Sequence, residues 1–112
     1  TRESNAQDAY KQMLVDSGAA DIVYTDAVSG TNANFLWPSL EKLGHQREEL
    51  VQGVGKGKLK ALADEAKAWR DVWSAGHGVA TIHDVPPVRE LCERLATEYR
   101  AACALPPSPA VA

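Results

Sequence analysis

The feature that most constrains the fold is the stretch of residues 69–84, where a helical apolar pattern stops abruptly in a run of small residues. At Ser74 the chain continues as Ser-Ala-Gly-His-Gly, with two glycines flanking one histidine. Glycine adopts positive φ readily and lets another group approach the backbone closely. The apolar pattern that ends there recurs at spacings of three and four, as on one face of a helix, at Leu59, Leu62, Ala66, Trp69 and Trp73.

Two interpretations of this stretch follow from the residues alone. In the first, Trp69 and Trp73 are core residues of a helix, and the small residues form its C-terminal cap. In the second, the two rings lie along one helical face, and the small-residue turn holds a planar ligand against exposed backbone N–H groups. Periodicity by itself favours the first interpretation.

The small-residue run also belongs to a set of segments with a recognisable order. Trp73-Ser-Ala-Gly-His-Gly-Val79 is followed by Ile82-His-Asp-Val-Pro-Pro87. Upstream lie Thr25-Asp-Ala-Val-Ser-Gly-Thr-Asn-Ala-Asn-Phe-Leu36, Pro38-Ser-Leu40 and, at the start, Thr1-Arg-Glu3. Together these segments resemble the C-terminal part of the nitronate monooxygenase (2-nitropropane dioxygenase) family of FMN-dependent oxidoreductases. The resemblance extends from residue 1 to about residue 104.

The resemblance implies a piece of a larger flavin enzyme. Full-length members of the family are α/β TIM barrels that bind FMN and oxidise nitronates with oxygen, and some relatives instead reduce quinones with a nicotinamide cofactor. Residues 1–20 would then carry the last outer helix of the barrel, and residues 21–105 a helical cover over the FMN and substrate pocket. The partner of this chain would be the upstream barrel portion, which fits a chain that begins at Thr1.

The resemblance also implies where the cofactor lies. The phosphate cradle and the catalytic base of the family are upstream, so no catalytic residue is expected in this chain. The residues expected near the flavin or substrate are Ser74, Ala75, Gly76 and His77. Two positions depart from the family pattern, because His77 stands where Gln is common and Trp37 where Arg is common. A rival interpretation from another class is a stand-alone helical interaction module without catalytic activity.

Composition narrows the choice of partners. The chain has 112 residues, a formal net charge of −3 and a pI near 5.5, which argues against nucleic acid or an anionic membrane as a partner. Cys92 and Cys103 are eleven residues apart in one predicted helix, about 16 Å along its axis. That separation exceeds the roughly 7 Å between Cα atoms that a disulfide allows. Two reduced cysteines predict a cytoplasmic protein.

The overall pattern predicts a mainly α fold with about four helices and one short extended segment. A capping box at residues 4–7 opens the first helix, and Gly18 suits a left-handed C-terminal cap. Residues 29–34 are turn formers, and residues 45–57 form a glycine-interrupted hinge. The remaining expectations are a helix at residues 5–17, an extended run at 21–25, helices at 38–43 and 58–73, a helix that starts at the Asp84–Pro87 signal and ends near 105, and a disordered tail at 106–112.

Candidate chemistry within the chain is sparse. His45, His77 and His83 have no spacing typical of metal ligands. Ser74, His77 and Asp84 spell a possible triad, but no oxyanion-hole signature accompanies them, which argues against a hydrolase. For packing, we expect both Trp69 and Trp73 to lie against the apolar face of the last helix, at Leu91, Leu95 and Tyr99.

Overall fold

The computed structural model describes residues 1–50 and 70–106 of the chain. The chain divides into two compact units, one formed by Gln7–Asp84 and the other by Thr1–Ala6 together with Val85–Ala112. The described part is mainly helical, as predicted, and contains three α-helices and a two-stranded sheet. The predicted glycine hinge beyond residue 50, most of the helix expected from residue 58 and the end of the tail lie outside the described residues.

The first unit contains one β-hairpin with short helices before and after it in the chain. In chain order they are α1 (Asp8–Asp16), a 3-10 helix (Ala19–Asp21), β1 (Ile22–Thr25), β2 (Ala33–Leu36), α2 (Trp37–Glu41) and two further 3-10 helices, Arg47–Leu50 and His77–Thr81. The second unit contains α3 (Val88–Cys103).

The hairpin contributes side chains to a hydrophobic cluster on each of its faces. β1 and β2 pair antiparallel, with Ile22 opposite Leu36 and Val23 opposite Phe35. Because neighbouring side chains on a strand point to opposite faces, these two pairs serve two separate hydrophobic clusters. The cluster on one face consists of Val23, Ala27, Val28, Phe35, Leu40, Leu50 and Val72, and the cluster on the other of Met13, Ile22, Leu36 and Val79.

The second strand corrects the sequence-based expectation of a single extended segment. β2 begins at Ala33 and includes Asn34, which the turn-former cluster assigns to a loop. Alanine and asparagine both have low strand propensity, so no local signal marks the start of β2. The strand forms because pairing with β1 buries Phe35 and Leu36, whose exposed fractions are 2% and 0%.

The ends of α1 also differ from the prediction. Ser4 Oγ accepts a hydrogen bond from the Ala6 N–H at 3.2 Å, so the capping box with Gln7 is not formed and α1 begins only at Asp8. At the other end, the buried Ser17 hydroxyl donates to the Met13 carbonyl at 2.6 Å. Gly18 has φ −112°, so the expectation of a left-handed glycine cap is wrong.

The predicted glycine stop after α2 is confirmed. The helix has Pro38 in its first turn, and Gly44 has φ 86°. The Gly44 N–H donates to the Glu41 carbonyl at 2.9 Å, and the His45 N–H donates to the Leu40 carbonyl at 3.3 Å. These are the two bonds of a Schellman motif, which a residue in the left-handed region closes.

The last helix forms where the sequence predicts it but does not bury its apolar face. α3 starts at Val88, directly after the two prolines, and its two cysteines are exposed free thiols. Leu95 and Tyr99 are 55% and 72% exposed. Trp73 is partly buried against the cluster that contains Met13 and Leu36, and Trp69 lies outside the described residues, so the expectation that both rings pack on this helix stays a prediction.

Candidate functional site

The candidate site begins where a helix ends. Arg70 and Asp71 are helical, and residues 72–76 are not, so the predicted helix stops two residues before Trp73. The helix stops because the Trp73 backbone groups form hydrogen bonds with residues outside the helix. Its carbonyl accepts a hydrogen bond of 2.8 Å from the N–H of Leu36, at the end of β2.

The Ser39 hydroxyl holds the same residue from the other side. Ser39 is buried, its Oγ accepts a hydrogen bond of 3.1 Å from the Trp73 N–H, and it donates at 2.7 Å to the Leu36 carbonyl. One hydroxyl therefore joins the end of β2, the first turn of α2 and the entry to the candidate site. A segment with no secondary structure of its own is fixed by these bonds.

Tyr10 of α1 provides a third attachment. Its hydroxyl donates a hydrogen bond of 2.7 Å to the Ser74 carbonyl. Its ring lies against the Trp73 ring, with 5.3 Å between centroids and 39° between planes, a tilted arrangement that favours aromatic contact. The Trp73 indole N–H in turn donates to the Arg70 carbonyl at 3.1 Å.

The four predicted site residues lie directly after this attachment. Ser74, Gly76 and His77 are exposed, and Ala75 is partly buried against the cluster that contains Met13 and Leu36. Gly76 has φ −90° and ψ 172°, which is extended backbone open to any residue. Of the two possibilities that glycine offers, positive φ is therefore not used at Gly76.

The segment is open on the side that faces away from the core. A Cβ atom built on Gly76 or Gly78 would meet nothing within 4 Å. Among the described residues, none accepts a hydrogen bond from the backbone N–H groups of Gly76, His77 or Gly78. Val79 is buried, and its N–H donates to the Gly76 carbonyl at 3.0 Å. The segment therefore exposes backbone N–H donors, while the residues before and after them are held in place by hydrogen bonds and by the buried Val79.

The three histidines differ in burial, and none belongs to a group placed to hold a metal ion among the described residues. His45 is buried, with Nδ1 4.0 Å from Glu49 Oε2 and with a buried Nε2 that has no hydrogen-bond partner. His77 and His83 are exposed. Within residues 1–50 and 70–106, no group of three or more His, Cys, Asp or Glu side chains is placed to hold a metal ion.

A groove of about 360 Å³ lies elsewhere on the same unit. It is lined by residues of α1 and of the α2 region, among them Met13, Asp16, Pro38 and Lys42. None of residues 74–77 contributes to it, so the groove is not part of the predicted site.

Trp37 packs against the core of the first unit. Its ring is partly buried against the cluster that contains Phe35 and Leu40. The Arg47 guanidinium carbon lies 5.8 Å from the ring centroid, within the range of a cation–π interaction. Arg47 also donates to the Ala20 carbonyl at 2.6 Å. Trp37 therefore has a structural role in the chain.

Sequence reasoning missed the two residues that position the segment. No local pattern in the sequence marks Tyr10 or Ser39 as a residue of the site. Their partners are 64 and 34 residues further along the chain. No periodicity or capping rule connects positions so far apart.

Comparison with models of protein families, with curated proteins and with solved structures finds no match for this chain. In the part of the chain that the structure describes, no helix has both the length and the apolar character needed to cross a membrane.

Proposed function

We propose that this chain is the C-terminal part of a flavin-dependent oxidoreductase that oxidises nitronates with oxygen, and that it covers an FMN and substrate pocket formed by an upstream TIM barrel. The proposal rests on the resemblance of its segments to the nitronate monooxygenase family. What supports it is that segments of the resemblance meet in space. The end of β2 is bonded to Trp73, and Trp73 is bonded to Ser39.

The proposed contact with the flavin is made by Ser74, Ala75, Gly76 and His77. FMN would supply the redox chemistry, taking electrons from the nitronate and passing them to oxygen. The chain's own contribution is a cover that is fixed by Tyr10 and Ser39 and that carries exposed N–H donors. Open space at Gly76 allows a close approach of a second body to the backbone, and a cover of this kind limits the access of water to the pocket.

The proposal is tested on the natural polypeptide that contains these residues. Mass spectrometry of the purified protein establishes which residues precede Thr1. We expect FMN to be released on denaturation, and oxygen uptake that depends on an alkyl nitronate. Quinone reduction with a nicotinamide cofactor, in place of nitronate oxidation, would assign the chain to the other activity of the family. A natural polypeptide without flavin would contradict the proposal and favour the interaction module.

A matched pair of substitutions tests the site itself. Gly76→Val places two methyl groups on the open side, and we expect it to reduce FMN retention or to raise the KM for the nitronate at least several-fold. Ala80→Val adds two methyl groups at an exposed residue of the 3-10 helix His77–Thr81, which follows Gly76, and we expect it to leave FMN retention and the KM unchanged. Normal flavin content and kinetics in Gly76→Val would remove residues 74–77 from the pocket.

A further inference from the structure

We draw no further inference here: the strongest candidate, the groove of about 360 Å³ between α1 and the start of α2, lined among others by Met13, Asp16, Pro38 and Lys42, carries none, because nothing in the structure shows what occupies or covers it.

Discussion

The hydroxyl of Tyr10 donates a hydrogen bond of 2.7 Å to the backbone carbonyl of Ser74, 64 residues further along the chain. Tyr10 belongs to α1, whose sequence carries no sign of chemistry, and Ser74 is the first residue of the predicted site. The backbone of Trp73 is bonded to Leu36 and Ser39. Together with the bond from Tyr10, these bonds set the position of the exposed segment that follows.

Removing the Tyr10 hydroxyl should loosen the candidate site. Tyr10→Phe keeps the ring contact with Trp73 but loses the bond to Ser74, and we expect the free energy of unfolding to fall by about 0.5–1.5 kcal/mol. Tyr24→Phe is the control, because Tyr24 is 49% exposed, and its change should stay within about 0.5 kcal/mol. Urea unfolding measures both, and equal values would mean that the bond does not stabilise the fold.

Removing the Ser39 hydroxyl should lower the free energy of unfolding by more than removing the Tyr10 hydroxyl does. Ser39→Ala leaves the Trp73 N–H and the Leu36 carbonyl without their partner in a buried place, which costs about 1–3 kcal/mol. Ser29→Ala removes a hydroxyl that bonds the Thr31 carbonyl in an exposed turn, and we expect at most about 0.5 kcal/mol there. A Ser39→Ala protein with unchanged urea midpoint would contradict the proposed role of this hydroxyl.

Two glycines should respond oppositely to alanine. Gly44 has φ 86°, and an L-residue in the left-handed region costs roughly 1–2 kcal/mol, so Gly44→Ala should lower the free energy of unfolding. Gly76 has ordinary extended dihedrals and open space around it, so Gly76→Ala should be neutral or stabilise by up to about 1 kcal/mol. Thermal unfolding of the 112-residue chain measures both variants, and a similar loss of stability in Gly44→Ala and Gly76→Ala would contradict this expectation.

The loss of stability when a leucine is replaced by alanine should depend on how deeply that leucine is buried. Leu36 is 0% exposed and belongs to a buried cluster, so Leu36→Ala should destabilise the 112-residue chain by about 2–5 kcal/mol. Leu95 is 55% exposed, and Leu95→Ala should change stability in this chain by about 0.5 kcal/mol or less. Comparable losses would show that α3 is covered within the 112 residues.

The 112-residue chain should show no turnover by itself. By the resemblance, the phosphate cradle and the catalytic base lie upstream of it. Incubation with FMN and an alkyl nitronate should give no oxygen uptake above free FMN. Turnover in the ordinary range of enzymes, about 1–10³ per second, would place the complete site within these residues.

The sequence by itself determined the elements whose signals are local. The two prolines before Val88 and the periodicity after it predicted α3, and Pro38 with Gly44 predicted α2 within one or two residues of its ends. These signals concern backbone dihedrals and hydrogen bonds between residues a few positions apart. A short stretch of sequence contains all the groups that take part.

Only the tertiary structure decided the rest. β2 exists because β1 pairs with it, and the helix ends before Trp73 because Leu36 and Ser39 take up the Trp73 backbone groups. The same bonds, with the one from Tyr10, set where residues 74–77 lie. Their donors and acceptors are separated by 34 to 64 residues in the chain. Contacts at that distance depend on which buried surfaces meet, and no local propensity records them.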